Sequence, residues 1–430
     1  MAFKELTLAD CAKKIIDNRG KTCPVGDTGM PLIATNCVKN DLLYPAYETT
    51  RFVSDSTYET WFRGHPDPGD ILFVTKGSPG RVCLAPNPVD FCIAQDMVSI
   101  RADEGKIYPK YLFAALRSAE VQRRIKNMHV GTMIPHFKKG DFDKLWIPIP
   151  SRPQQVVVGD TYFELSARIE LLRQTNITLE AIAQALFKSW FIDFDPVHAK
   201  AEGREPDGMD ADTAALFPDS FEDSPLGPIP HGWQARSLDS IANYLNGLAL
   251  QKFPPETEDE FLPVIKIAQL RAGIATNADR ASARLRPDYV VHDGDVLFSW
   301  SGSLEVEFWC GGDGALNQHL FKVTSTEVPK WFYYLATRQH LSMFRQIAAS
   351  KATTMGHIQR QHLTQAKVPV PPLPVLTAAT KIIEPLLDKR ISNSLQVRQL
   401  AQVRDTLLPR LISGKLRLPD ARALIEEAAS

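Results

Sequence analysis

The chain has 430 residues, 44% of them hydrophobic and 23% charged, with a formal net charge of −1. That length excludes a single ordinary core and predicts two to three domains of a soluble globular protein. No apolar run reaches the roughly 18 residues of a membrane span, Met1 to Glu5 lacks a signal-peptide core, and the six cysteines show no CxxC spacing for zinc or disulfides, so a reduced, cytoplasmic chain is expected.

Residues 1–152 read as a mixed head. Short apolar runs such as Ile71-Leu72-Phe73-Val74 and Met97-Val98-Ser99-Ile100 predict strands between Gly and Pro turns. Pro109 in a first turn, with Leu112, Leu116 and Ile125 at helical spacing, predicts a helix over 109–127. Ile147-Pro148-Ile149-Pro150 is extended, because its prolines bar a helix. A long helix is predicted over 153–192. Its seam is Ile169, Leu172, Asn176, Leu179, Ala183, Leu186 and Trp190, in alternating steps of 3 and 4, a heptad pattern. Asn176 is the one polar interruption, and either fixes register against a partner or sits solvated in an imperfect seam.

Residues 193–232 carry 2 basic and 10 acidic side chains among many Pro and Gly, and read as an acidic linker. A second mixed head covers 233–373, and a second long helix 374–416, with Ile383, Leu387, Ile391, Leu400, Leu407 and Leu411 among its apolar residues. Gly414 marks its predicted end, and 417–430 form a tail. Outside the linker the charge is mildly positive, +3 over 1–150, +1 over 233–373 and +3 over 374–430. That permits local basic patches for a polyanionic partner.

The second half repeats the first. Gly69-Asp70-Ile71-Leu72-Phe73 matches Gly294-Asp295-Val296-Leu297-Phe298, and Gly77-Ser78 matches Gly302-Ser303, both at an offset of 225. His136, Pro148 and Pro150 match His357, Pro369 and Pro371 at an offset of 221. Phe3 to Leu8 resembles Trp233 to Leu238 at an offset of 230. Two similar heads on one chain imitate a two-fold dimer and suit a ligand with two separated sites, of which DNA is the commonest. The expected fold is α+β, with two similar globular heads joined by two long antiparallel coiled-coil helices about an internal pseudo-two-fold. A helix of about 39 residues is about 58 Å long, so the rod would act as a ruler of at most roughly 17 base pairs.

Local motifs carry a family resemblance over nearly the whole chain: GTMIPHFKKGDFDKLWIPIPSRPQQ at 131–155, LFKSWFIDFDPVHAKAEG at 186–203, ALFPDSFEDSPLGPIPHGW at 215–233 and LLPRLISGKLRL at 407–418. With the order head, helix, linker, head, helix, the chain resembles the specificity (S) subunit of type I restriction–modification systems. The resemblance implies a non-catalytic DNA-reading subunit whose heads are target recognition domains, each reading one half of a split sequence in double-stranded DNA. It implies helices that set the unread gap and dock two methyltransferase (M) subunits. Those partners would carry S-adenosylmethionine and methylate adenine. Motor-nuclease (R) subunits would join them, with ATP and Mg²⁺ also on the partners and no cofactor on this chain.

Candidate DNA contacts lie on loops of each head. In the first, Lys76, Gly77, Ser78 and Arg81 follow a predicted strand. Glycine lets backbone approach a phosphate, Ser78 donates, and Lys76 and Arg81 supply charge; an ordinary surface hairpin is the competing reading. The second head keeps Gly302 and Ser303 but no base beside them. The next group is Thr132, His136, Lys138 and Lys139, with Lys351, Thr353, Thr354, His357 and Arg360 in the second head. Thr residues near a helix start would favour an anion there, and the matched histidines either touch DNA or hold a repeated turn. Gln95 and the pair Asn317-Gln318 are equivalent and either read adenine or make buried strand-end hydrogen bonds. Phe187, Trp190 and Phe191 exceed what one helical seam needs and either pack on the heads or form a partner surface.

An enzyme is the rival class. Asp67 with Glu104 and Lys106 makes a loose PD…ExK nuclease pattern that the second head does not repeat. A glycine-rich cofactor loop, an NPPY-like tetrapeptide, GxSxG, HExxH and a P-loop are all absent.

Overall fold

Short apolar runs at the predicted strands build the same sheet twice. The computed structural model describes residues 4–18, 22–47, 51–93, 95–128, 136–350 and 356–412. In the first head, strands run in the order Ala12–Ile16, Met97–Ala102, Ile71–Val74, Val82–Leu84, all antiparallel. In the second, the order is Asn243–Asn246, Leu320–Thr324, Val296–Ser299, Val306–Phe308, again antiparallel. Each head adds a second sheet, three-stranded in the first and four-stranded in the second, in which one pair is parallel, Met30–Ile33 with Cys92–Ile93 and Phe261–Ile265 with Gly314–Leu316. Ile71 to Val74 and Val296 to Ser299 are buried at every position, because both faces of each central strand are covered.

The proline-rich ends of the heads are strands as well. Trp146–Ile149 pairs antiparallel with Lys4–Thr7, and Lys367–Val370 pairs with Gln234–Ser237. The registers Glu5 to Pro148 and Ala235 to Pro369 reproduce the sequence offsets of 230 and 221. These are two-stranded ribbons, where proline is tolerated at an edge.

The helix expected over 109–127 is two helices, Pro109–Arg117 and Ala119–Met128. Ser118 breaks it: its backbone is extended at ψ 145, and its hydroxyl accepts from Val121 N and donates to Ala115 O. A serine that can cap the next turn competes with continued helix. All six cysteines are free and buried, and desolvation pushes the Cys11, Cys83 and Cys92 thiols up to about 12. Cys11, Cys83 and Cys92 are thus protonated packing residues. No described helix is long and apolar enough to cross a membrane.

The long helices are Arg152–Phe191 and Leu373–Ile412, each 40 residues. The chain divides into two compact units, 1–172 with 399–430, and 173–398, so each unit holds one head and a segment of both helices. Within the first unit, Val158 and Tyr162 share a core with Leu407, Leu408 and Leu411, and the Arg404 guanidinium lies 5.5 Å over the Tyr162 ring. Gly159 allows the helix to cross the start of Pro109–Arg117, since a Cβ there would stand 2.6 Å from Tyr111 N. Gln155 accepts from Tyr108 N, and Asp160 accepts from Tyr108 Oη and Lys110 Nζ at 2.8 Å, fixing that crossing.

In the second unit, Asn176 Nδ2 donates to Ser394 Oγ at 3.1 Å, and Asn393 Nδ2 donates to Asn176 Oδ1 at 2.9 Å. Glu180 faces Arg390 at 3.1 Å. Partners that fall from 393 to 390 as the first helix rises from 176 to 180 make the pair antiparallel. Asn176 is therefore a paired residue of the seam. Beyond it the seam departs from expectation: Glu180 and Phe187 are buried, whereas Leu179 and Leu186 are only half-buried. Two successive steps of 4, Leu172 to Asn176 to Glu180, form a stutter that shifts the buried face by one residue. Glu180 is held inside by Arg338 and Arg390, each also on Glu307, and by the Tyr334 hydroxyl at 3.0 Å.

The stretch 193–232, expected to be a linker, is folded onto the second unit. Asp195–Ala201 and Ala211–Ala215 are helical, and Phe221–Ser224 with Gly227–Pro230 is a hairpin. Val197, Phe217 and Ile229 enter the same core as Trp233. Three widely spaced apolar side chains anchor an acidic segment whose average composition reads as unfolded.

Candidate nucleic-acid interface

One backbone crossing occurs in both heads. Thr75 N donates to Asp96 O at 2.8 Å, and Phe137 N donates to Thr75 O at 2.7 Å. In the second head Trp300 N donates to His319 O at 3.3 Å, and Ile358 N donates to Trp300 O at 2.9 Å. Isolated bridges pair Lys76 with His136 and Ser301 with His357. Three segments thus meet at the end of each central sheet. The inner residues, Phe137 and Ile358, are buried, so by strand alternation their neighbours His136 and His357 face outward. The turns leaving the crossing pass through Gly77 at φ 84 and Gly302 at φ 63, a left-handed backbone that glycine adopts without strain.

The backbone is shared, but the side chains on it differ. In the first head Lys76 stands 3.9 Å from the Asp96 carboxylate. In the second the equivalent pair is a serine and a histidine: Ser301 Oγ lies 3.0 Å from His319 Nδ1. Beside it the Trp300 indole donates to Asn246 Oδ1 at 2.9 Å and packs 5.7 Å from the His319 ring. Two similar scaffolds therefore present different hydrogen-bonding faces, one a lysine–aspartate pair and one a serine–histidine pair beside an indole.

The expected contact residues divide among three situations. Lys76, Gly77, Ser78, Arg81, His136 and Lys138 are gathered around the first crossing or its turns, with Arg81 and Lys138 exposed. Gly302, Ser303 and His357 are exposed at the second. Arg360 is partly committed elsewhere, donating to Tyr244 O at 3.0 Å with its guanidinium 5.7 Å over the Phe321 ring. Thr132, Lys351, Thr353 and Thr354, and the side chain of Lys139, lie outside the described residues. Arg124, on the helix after Ser118, is tied to Glu5, Glu120 and Trp146 O. Asn317 takes the buried strand-end role, its Oδ1 accepting from His319 N at 3.2 Å.

Phe187, Trp190 and Phe191 require correction as partner-surface residues. They are 2%, 6% and 0% exposed and sit in the core of the second unit, with Phe191 5.7 Å from both Trp331 and Phe332. The excess aromatics fill the joint between the helix, the head and the folded 193–232 segment. The residues that sequence reasoning missed are Asp96, Trp300 and His319. The slip of the repeat offset from 225 at Val74 and Ser299 to 223 at Met97 and Leu320 is the signal that makes Asp96 and His319 equivalent positions of the two heads.

The nuclease pattern is not assembled by any described contact. Asp67 pairs with Arg101, which also bonds Asp70, while Lys106 pairs with Asp103 and Glu104 is exposed. Among the described residues no group of three or more His, Cys, Asp or Glu is placed to hold a metal ion.

Comparison with known proteins agrees with this layout. The family model for the type I restriction modification DNA specificity domain matches residues 7–181 and again 230–399. The chain is 24% identical over 360 residues to the type I restriction enzyme MjaIX specificity subunit of Methanocaldococcus jannaschii, covering 82% of this chain and 78% of that one. It is 25% identical over 399 residues to the HindI specificity subunit of Haemophilus influenzae, covering 81% and 86%. The crystal structure of a type I restriction–modification S subunit from M. genitalium has the same fold, with a TM-score of 0.53 at 16% identity over 96% of each chain.

Proposed function

Because the chain belongs to the type I restriction–modification DNA specificity family, we propose that it recognises a split target in double-stranded DNA, one head on each half-site. It is the specificity subunit, the non-catalytic member of such a complex. The observation that carries the two-site reading is the crossing shared by both heads with unlike side chains, Lys76 and Asp96 in one, Ser301 and His319 in the other. A common scaffold sets a common approach to the duplex, and different polar faces select different bases. Phosphate contacts from residues such as Arg81 and Lys138 supply affinity, and base contacts with DNA shape supply discrimination.

The two 40-residue helices set the unread gap and dock two methyltransferase subunits. Exposed apolar side chains on their outer faces, Ile177 at 63%, Ile182 at 43% and Ile382 at 38%, support a protein partner. The partners hold S-adenosylmethionine and flip out the adenines they methylate, because a stacked base cannot be reached. Motor-nuclease subunits with ATP and Mg²⁺ complete the restriction enzyme.

A domain exchange tests the division of labour. Replacing residues 1–150 by the corresponding head of another specificity subunit is expected to change one half of the methylated motif and leave the other half and the gap unchanged. A change in both halves would contradict one head per half-site.

A further inference from the structure

Beside each crossing stands a glutamine that the proposed function leaves without a role. The strand registers align Val74 with Met97 and Ser299 with Leu320, which makes Gln95 and Gln318 equivalent residues, two places before the strand in each head. The two turns read Ala94-Gln95-Asp96-Met97 and Asn317-Gln318-His319-Leu320, so the glutamine is the one identical side chain in a turn that otherwise diverges. Its backbone is held rigidly. Gln318 N donates to Leu248 O at 2.9 Å and its carbonyl accepts from the Trp300 indole at 3.2 Å, while Asp96, at φ 77, accepts from both Thr75 N and Lys76 N.

In the second head the side chain is held as well. Gln318 Nε2 lies 3.4 Å from His319 Nε2, and His319 Nδ1 lies 3.0 Å from Ser301 Oγ. An amide nitrogen only donates, so His319 Nε2 accepts and its Nδ1–H donates to Ser301. That relay leaves Gln318 one free N–H beside a free carbonyl oxygen, in a side chain only partly exposed. Gln95 is exposed and makes no hydrogen bond to other described residues. A donor next to an acceptor in one plane matches adenine, which presents the N7 acceptor beside the N6 amino donor in the major groove. Guanine presents two acceptors there and leaves the carbonyl oxygen opposed. Holding the amide in place before binding removes part of the ordering cost.

We propose that Gln95 and Gln318 are equivalent specificity-determining residues, each reading one adenine by its major-groove edge in its own half-site, with His319 positioning Gln318. The inference rests on the reading of the chain as a DNA-recognition subunit.

The test uses the full chain in complex with its methyltransferase and fluorescent duplexes carrying the split motif mapped for the wild-type complex. Each adenine outside the methylated positions is replaced in turn by 7-deazaadenine, which lacks the N7 acceptor. The wild-type complex is expected to lose about tenfold in affinity at one adenine in each half-site. Gln318→Ala is expected to weaken binding to the natural duplex by a similar factor and to abolish the 7-deaza effect in one half-site. Gln95→Ala does the same in the other half-site. Gln318→Glu, which can only accept, loses the preference for adenine at that position. A wild-type complex that selects the motif yet ignores 7-deazaadenine everywhere overturns the proposal and leaves the DNA-recognition reading intact. So do glutamine variants that keep the full wild-type response. A wild-type complex that binds the mapped duplex no better than a scrambled one overturns both.

Discussion

Asn176 shows what one polar residue does inside an apolar seam. It joins Ser394 and Asn393 across the helix pair, and Asn393 is 1% exposed. Replacing Asn176 alone by leucine strands the buried Asn393 amide, at a cost of about 1–3 kcal/mol. The double variant Asn176→Leu with Asn393→Leu removes both polar groups and recovers most of that loss. Urea titration of the single and double variants measures the difference, and a double variant as unstable as the single one would sink the account. The heptad spacing identified Asn176 as the residue to watch, but nothing in its own helix named a partner more than 200 residues away. The same limit applied to Gln318: its neighbour Asn317 turned inward to bond His319 N, and only the three-dimensional turn separated the two roles.

At the scale of elements, the two heads grip their helix segments differently. Arg338, on the helix Lys330–Gln339, and Arg117, at the end of Pro109–Arg117, show it directly. Arg338 pairs with Glu180 and Glu307, whereas Arg117 donates to the backbone carbonyls of Val82, Lys39 and Leu42. The second unit thus carries a buried charge network that the first lacks at this position. Removing Glu180 leaves the two arginines Arg338 and Arg390 sharing Glu307 alone, so Glu180→Ala is expected to destabilise the chain by about 2–4 kcal/mol. A denaturation midpoint equal to that of the wild-type chain would show that solvent, not Glu180, balances these arginines. The stutter beside Glu180 also marks where length can change. Four residues inserted into the first long helix add about 6 Å, and the gap in the methylated motif is expected to lengthen by roughly one or two base pairs. The half-sites themselves should stay as they are, and their alteration would mean that the helix is no spacer. The heptad pattern predicted this helix to within a residue of its ends, Arg152 and Phe191. It missed the slip after Asn176, because the pull on Glu180 comes from Arg338 and Arg390, outside the helix.

For the whole molecule, duplication was the strongest signal in the sequence and remains the organising fact of the structure. Offsets of 221 to 230 between motifs became matching registers in the sheets and ribbons of both heads. Composition misled where averages hide anchors, as in 193–232, where Val197, Phe217 and Ile229 fold a segment that is acidic overall. It misled again at Phe187, Trp190 and Phe191, whose apolar excess serves a core shared with residues far along the chain. The loops at the two crossings were harder still, because most of their side chains differ between the heads, as Lys76 and Asp96 differ from Ser301 and His319, and the repeat there is faint.

The central claim is that this chain alone dictates which DNA is methylated. Single-molecule sequencing of genomic DNA from cells carrying the chain with its methyltransferase, and from the same cells with the chain deleted, tests it most directly. The account predicts one split motif with methyladenine in both halves, lost completely on deletion. Methylation of the same motif without the chain would contradict it.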